Sequence, residues 1–209
     1  MKRALLATVL AAAILVGAAA AGGPSLLDPP SLHLRAPATF KAKFTTTQGP
    51  YVITVHRSWA PIGADRFYNL VYYHYYDNEP IFRVLPAYIA QWGINMKPPI
   101  AKAWRYAFIK DEPGKQPNTR GMVDFAIGSG PDSRTTQIFV NLRDNSPTFG
   151  PKFAPIGRIT SGMGVFHLLY HGYGEYAQSN QAGMIKYGAW WVHKYFPKLD
   201  WITTARIVH

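Results

Sequence analysis

Between Phe40 and Val208 the chain sustains no apolar pattern for long; short β-type runs alternate with Gly- and Pro-rich breaks. That punctuation is the strongest constraint on the fold. Phe40–Thr46 and Tyr51–His56 alternate apolar and polar residues, and Gln48-Gly49 lies between them, so they predict a hairpin. Ala60-Pro61 opens one helix, because proline suits the first helical turn and Phe67, Leu70 and Val71 follow at i, i+3, i+4 spacing. Gly162–Leu169 reads as a second short helix, and Trp201–Val208 closes with a β-type run. Met96–Asn118 and Gly172–Met184 read as loops. Many short strands with two helices predict a mainly β fold whose edges are removed by closure.

The run Ile81–Gln91, IFRVLPAYIAQ, sets one arginine among apolar neighbours. Strand alternation puts Ile81, Arg83 and Leu85 on one face and, past Pro86, Ile89 and Gln91 on one face. A guanidinium beside apolar side chains needs acceptors, because an unpartnered buried charge is very costly. From this run alone, Arg83 is either a structural arginine paired to a carboxylate or carbonyls, or a functional one.

Two later stretches bear on that choice. Arg120–Asn141, RGMVDFAIGSGPDSRTTQIFVN, carries an apolar strand (Met122–Ile127), a loop, and a second strand with Gln137, Phe139 and Asn141 on one face. Phe153–Ile159, FAPIGRI, adds an aromatic before another strand. In this order and spacing, the three stretches resemble the cyclophilin family of peptidyl-prolyl cis–trans isomerases. The resemblance covers Phe40–Leu169, and Gly172–Val208 looks like an extension of the common core.

The resemblance implies a closed eight-stranded antiparallel barrel capped by two α-helices, with the catalytic groove on its outside. It implies that Arg83 is the catalytic arginine, supported by Gln91. Tyr88 and Ile89 fall on an aromatic and a methionine of the proline pocket, Phe139 on the pocket floor, and Phe153 where the family has His or Tyr on the rim. Gln137 falls on a substrate-binding glutamine, and Ala126, Ile127 and Gly128 on the strand edge that holds the substrate backbone. The chain departs from the family at Phe82 (usually His), Ala87 (usually Gly), Trp92-Gly93 (usually Gly-Gly), and Thr148-Phe149, near a usual Trp–Leu–Asp pattern. The implied activity is isomerisation of X–Pro bonds in proline-containing polypeptides, with a catalytically weak proline-binding chaperone or scaffold as the alternative. Rotating an amide breaks no bond, so no metal or other cofactor is expected.

Residues 1–21 combine Lys2, Arg3, an apolar run and small residues at Ala19 and Ala21, the pattern of a secretory signal peptide. The expected organisation is a signal peptide over 1–21, a linker or ordered arm over 22–39, and one domain over 40–209 with an extension from about 172. Such a chain is expected in the periplasm, the secretory lumen or outside the cell, with residues 1–21 either cleaved or kept as an anchor. The absence of cysteine excludes disulfides, thiolate catalysis and cysteine-ligated metals. Net charge is +11, with basic residues scattered rather than clustered. That favours weak contact with anionic surfaces, and neither nucleic acid nor an oligomer is expected. His167 and His171 stand four apart without a third ligand at a convincing offset, and Ser129 and Ser133 read as turn residues. Trp190-Trp191 is expected to pack the extension onto the barrel.

Overall fold

A computed structural model describes residues 23–208; the signal-peptide reading of 1–21 lies outside the described residues. The chain forms a nine-stranded antiparallel sheet. Its strands are β1 (Thr39–Thr46), β2 (Gly49–His56), β3 (Glu79–Pro80), β4 (Arg83–Leu85), β5 (Ile89–Trp92), β6 (Met122–Phe125), β7 (Ile138–Asn141), β8 (Gly157–Ser161) and β9 (Trp201–Val208). They lie in the order β3-β9-β1-β2-β8-β6-β7-β5-β4. The expected hairpin is β1–β2, with Thr46 opposite Gly49. Gly49 turns at φ +118°, a conformation that favours glycine.

The expectation of a closed eight-stranded barrel needs correction. The sheet curls into a half-barrel, and the hydrogen-bonded ladder stays open between β3 and β4. Only Ile81 and Phe82 separate these edge strands. Ile81 donates its N–H to Asp200 O at 2.8 Å, on the β9 side, so the chain itself crosses the gap that a ladder would otherwise fill.

Aromatic side chains fill the hollow of the sheet. Phe44 is fully buried, with ring centroids of Tyr51, Tyr76, Trp92 and Phe67 at 5.2, 5.8, 5.9 and 6.1 Å. Helix α1 (Pro61–Tyr72) covers one side, burying Ala64, Phe67, Leu70 and Val71. Its first N–H groups lack intrahelical acceptors. Glu112 supplies them, accepting from Ile62 N at 2.7 Å and Gly63 N at 2.8 Å, and a carboxylate also suits the positive end of the helix dipole. The second expected helix is a single 3₁₀ turn, Met163–His167. Gly162 at φ +79° precedes it and Gly164 lies inside it, so the run is too poor in helix formers to extend. Its Phe166 still packs on Tyr51 at 4.9 Å.

Two segments read as loops are helical. Pro98–Trp104 is α2, which starts on its proline pair and buries Ile100, Ala101 and Trp104. After a four-residue α3 (Ser146–Phe149), the C-terminal segment folds as α4 (Glu175–Ser179), α5 (Gln181–Tyr187) and α6 (Ala189–Tyr195). These last helices form a second apolar cluster, in which Ala177, Met184, Val192, Phe196 and Leu199 close on Phe82, Ile94 and Met96. Of the expected tryptophan pair, Trp191 packs on Phe196 at 5.3 Å, while Trp190 is 62% exposed. β9 then runs between β3 and β1, so the segment read as an extension ends as an inner strand of the sheet. The preceding arm is ordered where described: Leu34 and Asn69 exchange two hydrogen bonds, and Ala36 N donates to Asp65 at 2.9 Å.

One buried acid follows from this packing. Glu79 is fully buried, and neither of its carboxylate oxygens has a hydrogen-bond partner of good geometry. Burial first, then the charge of Asp77, pushes its carboxyl well above the ordinary range. The folded chain therefore keeps a proton that the unfolded chain releases from about pH 4.5 upward. Stability is expected to fall as pH rises above that point, by up to ~1.4 kcal/mol per unit from this group. Glu79→Gln should remove that part of the slope. Urea melts of both proteins from about pH 5 to 8 measure it, and parallel slopes would contradict the assignment.

Candidate active site

The site is built on a row of residues directly opposed across three strands. Arg83 on β4 faces Gln91 on β5, and Gln91 faces Phe139 on β7. Opposed residues in antiparallel strands project from the same face, so the register alone brings the three together. The outward face of β5 is the one expected: Ile89 and Gln91 line the site, while Ala90 and Trp92 sit in the core. The row continues onto β6, where buried Asp124 opposes Phe139 and accepts from Asn141 at 3.0 Å, and burial pushes its carboxyl up to about 8. Pro86 and Ala87 join β4 to β5, and Tyr88 N donates to Leu85 O at 3.0 Å. Proline followed by a positive φ is the pattern of a type II turn, and Ala87, at φ +54°, stands strained where the family has glycine.

A pocket of about 120 Å³ opens on this face, lined by Arg83, Tyr88, Ile89, Gln91, Ala126, Ile127, Phe139 and Phe153. All eight were expected from the sequence. Of the other two expected residues, Gln137 stands beside the pocket, accepting from Gln91 at 2.8 Å. Gly128 lies outside the pocket and is exposed; its N–H donates to Ser133 Oγ at 2.8 Å, away from the groove.

Two residues not expected also line the pocket. Phe149 completes an aromatic box, with ring centroids 4.6 Å from Phe153, 5.3 Å from Phe139 and 5.6 Å from Tyr88. It belongs to the stretch that departs from the family pattern, so the departure itself was the available signal. Gln178, from α4, is the second. Nothing in sequence marked it, since it sits in a segment that reads as a loop.

Arg83 is satisfied on two sides. Nη1 donates to Gln91 Oε1 at 3.0 Å. Nε and Nη2 donate to the two oxygens of Glu175 at 2.9 and 2.6 Å, a side-on bidentate pair. Arg83 is thus paired to a carboxylate, as one sequence reading had it, and it also lines the pocket. One N–H on each of Nη1 and Nη2 is left over. The polar chain continues from Gln137 Nε2 to Gln181 at 2.7 Å and from Gln181 Nε2 to Gln178 at 2.7 Å.

Larger hollows of about 710 and 320 Å³ lie elsewhere, the second with His167 and Arg120 (3.1 Å apart) in its wall. Neither has an arginine facing an aromatic box.

The site thus sets an arginine with spare N–H groups beside an aromatic box in a pocket of about 120 Å³. The comparisons with known proteins give the family. Residues 41–185 match the family model described as cyclophilin type peptidyl-prolyl cis-trans isomerase/CLD. The chain belongs to that family.

It is similar to a peptidyl-prolyl cis-trans isomerase of Acinetobacter baylyi, 32% identical over 57% of this chain and 66% of that protein. It is also similar to peptidyl-prolyl cis-trans isomerase A of Dickeya dadantii, 26% identical over 75% of this chain and 80% of that one. In structure it resembles a Cryptosporidium parvum cyclophilin solved in the presence of the dipeptide Ala-Pro. The TM-score is 0.59 at 15% identity, covering 81% of this chain and 99% of that one; this likeness speaks to the fold.

Proposed function

We propose that the protein accelerates cis–trans rotation of X–Pro bonds in polypeptides that have been exported. The observation that carries this reading is Arg83 set against the aromatic box, with Gln91 fixing the guanidinium. Amide resonance imposes a barrier of ~18–20 kcal/mol, and unaided X–Pro rotation takes roughly tens to hundreds of seconds. The enzyme needs only to bind the twisted amide better than either planar form. Phe139, Phe149, Phe153 and Tyr88 would grip the proline ring. Ala126 and Ile127, at the end of β6, would hold the chain on one side while the other rotates. At the twist the prolyl nitrogen regains a lone pair, and the free Arg83 N–H groups can donate to it or to the prolyl carbonyl.

Export is supported by the sequence pattern of residues 1–21. Substrates would be exposed prolines in partly folded chains, with little side-chain selectivity because the pocket is small and the remaining contacts go to backbone. The scattered positive charge would add weak attraction to anionic surfaces. Nothing in the site requires more than one copy of the chain.

A second reading, a proline-segment binder with little turnover, is favoured by one observation: the Glu175 pair offsets the Arg83 charge. NMR exchange spectroscopy on a short peptide containing Ala-Pro-Phe separates the two. Isomerase action predicts cis–trans exchange faster in proportion to protein concentration. Groove resonances that shift with no gain in exchange would leave the binder.

A further inference from the structure

Glu175 stands on α4, past the three motifs that carry the resemblance and near the end of the residues 41–185 that match the family model. Among the described residues it is the only carboxylate paired with Arg83. The segment carrying it is firmly seated. Phe82, next to Arg83 and 1% exposed, is packed into the cluster of Ala177, Met184 and Phe196. Phe82 also stands where the family has histidine, so a residue that departs from the pattern anchors this segment. At Gly188, between α5 and α6, a Cβ would collide with the Met96 carbonyl, so this close approach requires glycine. From that seat α4 and α5 put three side chains on the groove: Glu175 on Arg83, Gln178 in the pocket wall and Gln181 on Gln137.

We propose that Glu175 is a positioning residue that restrains the catalytic arginine, making the α4–α5 segment a built-in brake on prolyl isomerisation. The inference rests on the isomerase reading above. Two effects act in the same direction. The carboxylate takes the Nε–H and one of the two Nη2–H donors and offsets the charge that would stabilise the twisted amide. Gln178 narrows the space over the proline box. The restraint is releasable: Glu175 is 53% exposed and Arg83 21%, and an ion pair this open contributes little in water. A bound chain can therefore push the carboxylate aside, and the loss is modest but constant.

The test compares wild type with Glu175→Gln on the Ala-Pro-Phe peptide, reading kcat/KM, peptide Kd and the Arg83 Nε–H resonance at about 20 and 500 mM salt. Glutamine keeps the size and removes the charge. The brake predicts that Glu175→Gln raises kcat/KM about two- to fivefold at low salt, the size expected of an exposed pair. It further predicts that the advantage shrinks at high salt, because salt screens the pair in wild type alone. The Nε–H resonance should move in the variant even without peptide.

Equal kcat/KM and Kd at both salt concentrations would overturn the brake. So would a slower variant with a lowered Tm, which would make Glu175 a strut. If neither protein accelerates exchange, the isomerase reading fails and Kd still decides: two- to fivefold tighter binding by Glu175→Gln keeps the restraint, and equal binding removes it. Gln178→Ala, expected to tighten peptide binding without altering the salt dependence, separates the steric part from the charged one.

Discussion

Arg83→Ala is expected to lower kcat/KM for X–Pro rotation by about 100- to 1,000-fold, the usual cost of removing one preorganised donor from a site that stabilises developing charge. The argument is geometric. Arg83 is the charged group in the pocket wall, its register partner Gln91 fixes Nη1, and the N–H groups left over have no other acceptor among the described residues. The fold should survive. Arg83 is partly exposed and its charged partner Glu175 more so, so stability should change by about 1 kcal/mol or less. Arg83→Lys should not rescue activity, because an ammonium cannot reproduce the fork that serves Gln91, Glu175 and the substrate together. Single-turnover exchange measured beside thermal melts tests both halves. A folded Arg83→Ala protein with undiminished kcat/KM would falsify the mechanism.

The second large effect concerns stability. Phe82→Ala should cost about 3–5 kcal/mol, the range for deleting a buried phenylalanine. That is a large share of the ~5–15 kcal/mol that holds a typical domain folded. Phe82 is 1% exposed, and its ring joins the helical segment to the sheet beside Arg83. Its loss should therefore be uneven. Amide protection in α5 and α6, for instance at Gly188 and Phe196, whose N–H groups donate within the segment, should fall by more than protection in β1 and β2. Hydrogen exchange beside a urea titration reads both. A drop spread evenly over all strands would mean that the segment and the sheet open as one unit.

What the sequence disclosed, and what it hid, follow from element length. α1 was legible because Pro61 marks its start and its apolar residues keep helical spacing for three turns. The pocket was legible because alternation is a period of two: once Ile89 and Gln91 share a face, only the register with β4 and β7 remains to be found, and the family pattern supplies it. α4, α5 and α6 were not legible. Helices of five and seven residues are too short to show a 3.6-residue period or to be stable alone, and they form here because Phe82, Ile94 and Met96 offer an apolar surface. α2 was hidden by its own start signal, since Pro98-Pro99 reads equally as a loop. Closure of the barrel was overestimated: strand count can suggest it, but no residue pattern reveals that chain rather than ladder bridges β3 and β4.

The place of β9 bears on how such a molecule is made. β1 takes β2 on one side from a hairpin a few residues away, and β9 on the other from the far end of the described chain. On the ribosome, half of β1's hydrogen-bonding groups must wait through most of synthesis for their partner. Pairing of such high contact order is slow, and it leaves a strand edge open to rival chains meanwhile. Were the chain exported as proposed, that delay would also be a period of grace, in which the polypeptide stays threadable until β9 arrives.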